Sequence, residues 1–243
     1  MFPILNIGPL AIQTPGLLIV IGVYVSILIV EKQPYRHNLK ASDLSNLIFV
    51  YLLSTIIIGR LSYVFQYPSI FIENPLSLFS ISPSFFDINS GLILSLLIAL
   101  VFIQKKKLPI LIVLDSISLP LLVFLVFLFL SLFASGNFYG KPSTIPWAIT
   151  LWGTTRHPLQ LYYLIGLIPL IGINVYTSRQ NYQTGDLFFQ TIFTISILVI
   201  FLDYFNGNPN NQIASFNILQ IIAWILMITL IIVKMIKRKS ANR

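Results

Sequence analysis

The sequence has few charged residues and no cysteine. Asp, Glu, Lys and Arg make up only 9% of its 243 residues, whereas ordinary globular domains carry about a quarter. Because 56% of the residues are hydrophobic, the chain cannot bury its apolar surface in one water-soluble core. The missing cysteine excludes disulfides, thiolate metal sites and cysteine nucleophiles. The composition therefore predicts an integral membrane protein.

The N-terminal stretch "MFPILNIGPLAIQ" also lacks Lys and Arg. A cleaved signal peptide begins with a basic region, so we expect the first apolar segment to remain in the mature protein. The net charge of +8 would indicate a nucleic-acid partner in a soluble protein. In a membrane protein the location of the charges matters more, and we expect no nucleic-acid partner.

Runs of about 20 apolar residues predict seven membrane-spanning helices. The runs are 15–30, 44–67, 91–104, 109–134, 159–177, 187–203 and 217–236. The third run has only fourteen residues, and the sequence leaves open that this helix begins further back, toward Phe85. The prediction is thus an all-α polytopic membrane protein with a single integral-membrane domain over 1–243.

Basic residues are distributed unevenly among the connections between these runs. Twelve of the fifteen lie in the odd-numbered connections or the C-terminal tail, namely Lys32, Arg36, Lys40, Lys105, Lys106, Lys107, Arg179, Lys234, Lys237, Arg238, Lys239 and Arg243. The even-numbered connections contain only Lys141 and Arg156, and Arg60 lies within a run. The positive-inside rule therefore predicts an external N-terminus and a cytoplasmic C-terminus.

The predicted outer connections are 67–90, 135–158 and 206–215, and they carry the turn-forming and polar residues. The first of them is too polar and too often interrupted by proline to span. We expect it to form short helical pieces along the outer interface. Since the polar features gather on this side, the sequence indicates a protein that acts on something reached from the outer face.

Several short motifs occur along the chain in a defined order. They are "GRLSYVFQY" (59–67), "ENPLSLF" (73–79), "GNFYGKP" (136–142), "PWA" (146–148), "RHPLQLY" (156–162) and Gln220 near the start of the last span. "RHPLQLY" is the most specific, whereas "ENP" or "GNF" alone would be a weak signal. Together the motifs cover most of the chain, and in this order they resemble the prolipoprotein diacylglyceryl transferase family.

The resemblance implies transfer of a diacylglyceryl group from phosphatidylglycerol to the lipobox cysteine of a secreted prolipoprotein, in a multi-pass protein of the bacterial inner membrane. The partners would be that phospholipid and the precursor's signal peptide, with no metal and no cofactor. An arginine suits the lipid phosphate because its guanidinium stays charged and offers paired, planar donors. The candidate catalytic residues are His157 and Asn137, and the candidate substrate-binding residues are Arg60, Arg156, Gly140, Gln160 and Tyr162.

The chain departs from the family pattern at several positions. Asn89, Ala134 and Asn206 stand where the resemblance predicts a His and two Arg. Pro15 stands in place of a Tyr and Tyr163 in place of an acid, and a short stretch after "GNF" is missing. An amide cannot act as a general base near pH 7, and alanine cannot neutralise phosphate. The alternative function is therefore a catalytically inactive membrane protein that binds phospholipid or an interaction partner on the same scaffold.

Arg60 has two interpretations because it falls about midway along a predicted span. An unpaired charge there costs several kcal/mol, so Arg60 needs a partner. That partner would be a lipid phosphate or an internal acid such as Asp115 or Asp203. A transporter is a third, more distant class of function, and it would require a continuous water path lined by Arg60 and Asp115.

The motif residues of the second outer connection also have alternative roles. Asn137 and Gly140 would donate to a phosphate or ester oxygen, or else form the turn that closes the fourth span. Arg156 and His157 would bind a lipid headgroup, or else Arg156 would anchor the helix end by snorkelling. Gln160 and Tyr162 follow one turn further along, and this coincidence favours a site.

Overall fold

A computed structural model describes residues 4–8, 10–33, 39–80, 82–207, 212–213 and 216–241. Arg36, Arg243 and part of the predicted outer connection 206–215 lie outside these ranges. The chain folds as two compact units. The large unit comprises Met1–Ile29 and Leu114–Arg243, and the small unit comprises Val30–Val113.

Long helices dominate the structure, and short hairpins and turns connect them. In chain order the elements are β1 (Ile4–Ile7), β2 (Leu10–Gln13), α1 (Thr14–Lys32), α2 (Ala41–Gln66), α3 (Pro68–Glu73), α4 (Ile88–Lys105), α5 (Ile110–Ser135), β3 (Ile149–Leu151), β4 (Thr154–Arg156), α6 (Leu159–Ser178), α7 (Asp186–Leu202), β5 (Gln212–Ile213), β6 (Phe216–Asn217) and α8 (Ile218–Ala241). Within the described residues, seven of these helices are long and apolar enough to cross a membrane. This confirms the predicted all-α polytopic membrane fold with seven spans.

The third span is longer than its apolar run of 91–104. Its helix α4 begins at Ile88 because the Asp87 side chain caps it by accepting a hydrogen bond from the Ser90 N–H (3.3 Å). A side-chain oxygen at this position satisfies one of the unpaired N–H groups of the first helical turn. Asn89 and Ser90 therefore lie inside the helix, although their polarity hides its start in the sequence.

Three small antiparallel hairpins within the described residues were not predicted from the sequence. They pair β1 with β2, β3 with β4, and β5 with β6. The β3–β4 hairpin turns through Trp152 and Gly153, which both have positive φ (52° and 77°). Two residues with positive φ form the tight turn whose twist matches that of the flanking strands. A tryptophan is rare at such a position, which is why the sequence did not predict this turn.

In the small unit, α2 and α4 pack closely through small residues. A Cβ added to Gly91 would lie 2.5 Å from the carbonyl oxygen of Thr55 and 3.2 Å from the Cα of Gly59. The Thr55 and Ser95 hydroxyls are hydrogen-bonded at 2.8 Å across the same interface. Small residues let helix backbones approach in a membrane, where packing rather than the hydrophobic effect drives association.

The connection 67–90 of the small unit is built of short helical pieces, as predicted. It contains α3 followed by 3-10 helices at Pro75–Phe79 and Pro83–Phe85. Tyr63, near the end of α2, packs against the rings of Phe71 and Phe85 (centroids 6.2 and 5.8 Å away). These aromatic contacts hold the short pieces against the end of α2.

The core of the large unit lies among α5, α6 and α7. Its buried members are Leu122, Phe129, Leu159, Tyr163, Leu167 and Leu202. The rings of Phe129 and Tyr163 stack at 4.3 Å with an angle of 7° between their planes. This core fixes the end of α5, the start of α6 and the end of α7, and these three ends carry most of the predicted site.

At the opposite end of α7, an acid from α5 caps the helix. The Asp115 carboxylate accepts hydrogen bonds from the N–H groups of Gly185 (2.6 Å) and Phe188 (2.9 Å). Such a carboxylate pairs free N–H groups and favours the positive end of the helix dipole. Asp115 is therefore a structural cap within the large unit.

Candidate active site

The site begins at a turn that ends α5. The Asn137 N–H donates to the carbonyl of Leu132 (3.1 Å) and the Gly136 N–H to that of Phe133 (3.2 Å), while Gly136 has a φ of +75°. This pair of bonds around a left-handed glycine is the Schellman arrangement. Of the two roles predicted for Asn137, its backbone takes the turn, and its side chain is exposed.

After this turn, residues 139–143 form a ribbon, which we call the central ribbon, that is hydrogen-bonded on both sides. On one side, the Gly140 N–H donates to the carbonyl of His157 (3.1 Å) and the His157 N–H to that of Lys141 (3.0 Å). On the other side, the Lys141 N–H donates to the carbonyl of Phe205 (2.7 Å). The central ribbon thus joins the start of α6 to the end of α7.

Gly140 allows the central ribbon to lie against His157. A Cβ at this position would lie 2.6 Å from both the Cβ and the carbonyl oxygen of His157. Such distances are too short for any side chain, so only glycine fits. Because its N–H already pairs with the His157 carbonyl, Gly140 acts by permitting close approach and not by donating that N–H to a lipid.

His157 belongs to a chain of three polar side chains. Its Nδ1 lies 3.0 Å from the hydroxyl of Tyr162, and that hydroxyl accepts a hydrogen bond from Nε1 of Trp147 (2.9 Å). The imidazole also packs against the ring of Phe205, with centroids 5.0 Å apart. One ring nitrogen of His157 is therefore held by Tyr162, and Nε2 is the nitrogen left for another partner. Trp147 and Phe205 were not predicted as site residues.

Gln160, the second residue of α6, is fully buried. Its side-chain N–H donates to the carbonyl of Asn137 (2.6 Å), so it ties the turn at the end of α5 to the first turn of α6. Its Oε1 is buried without a hydrogen-bond partner among the described residues. Gln160 is thus a positioning residue with one acceptor to spare.

Two cations face aromatic rings beside the central ribbon. The guanidinium carbon of Arg156 lies 4.6 Å from the centroid of the Tyr139 ring, and the Nζ of Lys141 lies 4.4 Å from that of Tyr204. Cation–π contacts hold a positive charge in place without neutralising it. The Nε of half-buried Arg156 has no hydrogen-bond partner among the described residues. Lys141 was not predicted as a site residue, although its place beside Gly140 in "GNFYGKP" indicates it.

Asn206, at a position where the resemblance predicts an Arg, turns inward. Its side chain is only 3% exposed, and its Nδ2 donates to Oδ1 of the fully buried Asp203 (2.8 Å). The Asp203 carbonyl in turn accepts a hydrogen bond from Nδ2 of Asn217 (2.6 Å). Asn206 therefore satisfies a buried acid and presents no cation to a ligand.

Ala134 and Tyr163, two other departures from the family pattern, are also buried in the large unit, at 8% and 2% exposure. The Tyr163 hydroxyl, Oδ2 of Asp203 and Oδ1 of Asn217 have no hydrogen-bond partner among the described residues. Buried polar atoms are normally paired, so each unpaired atom calls for an explanation. Together with Gln160 and Arg156, they give this end of the large unit unused capacity to bind polar atoms.

Arg60 lies in the small unit, in the last two turns of α2 and not at its middle. Its guanidinium donates to the carbonyls of Ser77, Leu78 and Phe85. It also lies 5.1 Å from the centroid of the Phe86 ring. In the described part of the small unit the one ion pair joins Lys106 to Asp43 and does not include Arg60. Arg60 binds backbone carbonyls instead.

A sequence profile of the prolipoprotein diacylglyceryl transferase family matches residues 3–236. The chain belongs to the prolipoprotein diacylglyceryl transferase family. Its relatives include proteins named phosphatidylglycerol-prolipoprotein diacylglyceryl transferase. The one from Bordetella parapertussis is 33% identical over 66% of this chain and 64% of the relative. The one from Geobacter sulfurreducens is 26% identical over 86% of this chain and 82% of the relative. The chain thus matches just under two thirds of the Bordetella protein.

Six of the seven site residues predicted from the family resemblance lie together in the large unit. These are Asn137, Gly140, Arg156, His157, Gln160 and Tyr162, all within or bonded to the α5 turn, the central ribbon and the start of α6. The seventh, Arg60, belongs to the small unit. In this member of the prolipoprotein diacylglyceryl transferase family, the candidate site is therefore the group in the large unit.

Proposed function

We propose that this protein transfers a diacylglyceryl group from phosphatidylglycerol to the cysteine thiol of a prolipoprotein. In this reaction the thiol sulfur forms a bond to the glyceryl carbon, the bond from that carbon to the phosphate oxygen breaks, and glycerol phosphate leaves. The thiol proton passes to a base. The observation that carries the proposal is the His157–Tyr162–Trp147 chain of hydrogen bonds, which follows directly in sequence on a cation, Arg156, whose Nε has no hydrogen-bond partner among the described residues.

The roles of the residues follow from their contacts. Arg156 has an unpaired Nε and is held over Tyr139, so it is the group to bind the lipid phosphate, where a guanidinium gives paired donors. Gln160 and Gly140 position the turn and the central ribbon. The exposed side chain of Asn137 offers an amide to an ester or phosphate oxygen.

His157 accepts the thiol proton in one tautomer only. When Nδ1 carries the proton and donates to the Tyr162 oxygen, Nε2 has a free lone pair and is the base. When Tyr162 donates to Nδ1 instead, Nε2 carries the proton and cannot accept another. Trp147 already donates to the Tyr162 oxygen, so in the tautomer that can act as base this oxygen accepts a second hydrogen bond from Nδ1, and the Tyr162 O–H points to another acceptor.

We further propose that the protein lies in the bacterial inner membrane with its N-terminus and this site outside. The charge bias of the connections supports that orientation. Because the chain has no native cysteine, Ser143→Cys is expected to react with an impermeant thiol reagent added to intact cells, and Ser178→Cys is expected not to react. The opposite labelling pattern would overturn the orientation.

A second candidate function is phospholipid binding without turnover. Three observations favour it: Asn206 is turned inward to Asp203, Ala134 is buried, and Asn89 is an exposed amide in the first turn of α4. None of the three supplies the base or cation that the family resemblance predicts. This candidate predicts phospholipid that co-purifies with the protein but is never consumed.

Complementation separates the two functions. Cells depleted of their own transferase and expressing this chain are expected to modify a reporter prolipoprotein. His157→Gln is expected to abolish that modification without lowering the amount of protein in the membrane. Tyr176→Phe is the matched control, because this residue lies 68% exposed near the far end of α6. If the unmodified chain is expressed at normal levels and restores nothing, while phospholipid still co-purifies, the binding function replaces the enzymatic one.

A further inference from the structure

A groove lies between α7 and α8, away from the candidate active site. Its walls are mostly apolar and are formed by Phe189, Gln190 and Phe193 of α7 and by Leu230, Ile231 and Lys234 of α8. Phe189 is fourteen residues from Asp203 along the chain, which corresponds to about 20 Å along the helix. The groove is therefore distinct from the site built around His157.

One cation stands in this apolar groove. Lys234 lies one turn beyond Leu230 and Ile231, on the same face of α8, because residues three and four apart share a helix face. It forms no ion pair within the described residues, where the single pair is that of Lys106 and Asp43. The groove thus combines space between apolar side chains with an uncompensated positive charge at one end.

The position of the charge along the span matters. The last apolar run of the sequence ends at residue 236, so Lys234 lies near the end of the span, where hydrocarbon gives way to the headgroup region. The sequence adds Lys237 and Arg238 three and four positions further along the same helix. Anionic lipids are attracted to basic residues at this depth, and each residue contributes about 1 kcal/mol.

We propose that this groove binds one anionic phospholipid, with an acyl chain between α7 and α8 and its phosphate at Lys234. Charge complementarity selects this occupant, because a zwitterionic lipid would fill the apolar walls equally well but gain less from Lys234. The proposal does not depend on the transferase function, since the groove shares no residue with the candidate active site.

Competition between two lipids with the same acyl chains tests the proposal. The full-length protein is incubated in detergent with equimolar dioleoyl phosphatidylglycerol and dioleoyl phosphatidylcholine, and bound lipids are counted by native mass spectrometry. Arg156→Ala is used as the background, so that a headgroup bound at the candidate active site does not contribute. We expect one tightly bound phosphatidylglycerol, and we expect Lys234→Gln to weaken its binding about fivefold.

Two further variants make the result specific. Lys105→Gln removes the charge of an exposed lysine at the end of α4, outside the groove, and is expected to leave lipid binding unchanged. Ile231→Trp keeps Lys234 but fills the groove, and is expected to displace the lipid. The proposal would be overturned by equal retention of the two lipids or by unchanged phosphatidylglycerol binding in Lys234→Gln. It would also be overturned if Lys234→Gln and Lys105→Gln weakened that binding equally, or if Ile231→Trp still bound the lipid.

Discussion

Arg60 of the small unit and Arg156 of the large unit are both predicted to hold a lipid phosphate, yet they use their donors differently. Arg60 donates to three backbone carbonyls and lies among phenylalanine rings. Arg156 is held over one tyrosine ring and keeps an unpaired Nε. A cation that already donates several hydrogen bonds to the backbone stabilises the fold, whereas a cation held in place with an unpaired buried donor is available to a ligand. Residue type alone does not separate these cases.

The largest expected effect is on the stability of the small unit. The Arg60 guanidinium donates to the carbonyls of Ser77, Leu78 and Phe85 and so fixes the connection between α2 and α4. Arg60→Ala removes all of these hydrogen bonds. We expect the free energy of unfolding to fall by about 3 kcal/mol, since hydrogen bonds to charged groups contribute more than neutral ones. Thermal unfolding in detergent measures this. Arg60→Lys keeps the charge but not the planar fork, so an intermediate loss is expected.

An unchanged unfolding temperature for Arg60→Ala, combined with a loss of bound phosphatidylglycerol, would break the comparison. Arg60 would then be a lipid ligand like Arg156, and its carbonyl contacts would be replaceable.

Arg156→Ala is expected to have the opposite profile. Binding of phosphatidylglycerol at the candidate active site should weaken by about 10- to 100-fold, because a charge-assisted contact to phosphate is lost. The free energy of unfolding should change by less than about 1 kcal/mol. Lipid titration in nanodiscs measures the binding. Arg179→Ala, an exposed arginine at the end of α6, is the control. Equal weakening by both variants would mean that Arg156 contributes only general charge.

The sequence predicted the seven spans because each depends on a run of apolar residues. The motifs "GNFYGKP" and "RHPLQLY" lie beside helix ends, and the structure brings their six candidate residues together in the large unit; the roles of these residues stay predictions. The partners of Arg60 could not be predicted, since they are backbone carbonyls from a segment that carries no charge signal. The inward turn of Asn206 and the contact of Trp147 with Tyr162 depend on tertiary packing, which a motif does not encode.

A third prediction tests whether Arg60 is coupled to an acid. Asp115→Asn should lower the free energy of unfolding by about 1–2 kcal/mol, because an amide oxygen replaces only part of the cap on α7. Since Asp115 caps α7 in the large unit, its effect should add to that of Arg60→Ala within about 0.5 kcal/mol. Comparison of the two single variants with the double variant measures the coupling. Recovery of stability in the double variant would show an ion pair and contradict the contacts described above.

The smallest effect concerns Asp87, the acid that caps α4. Hydrogen bonds from the Ser90 hydroxyl, from Gln66, from the Ser90 N–H and from Ser62 lower the pKa of the Asp87 carboxyl from 3.8 to about 2. A lowered pKa in the folded state means that the ionised group stabilises the fold above pH 3.8 and that this contribution is lost as the pH falls through about 2. Asp87→Asn should therefore be less stable than the parent protein near neutral pH, and the difference should shrink as the pH falls from 3.8 toward 2. Thermal unfolding of both proteins from neutral pH down to about pH 2 measures this difference in stability.

Glu73→Gln serves as the control. Glu73 is an exposed acid at the end of α3, and its substitution should change the pH dependence of stability less than Asp87→Asn does. A difference between Asp87→Asn and the parent that persists unchanged at the lowest pH would show that the carboxyl acts through its shape and not through its charge.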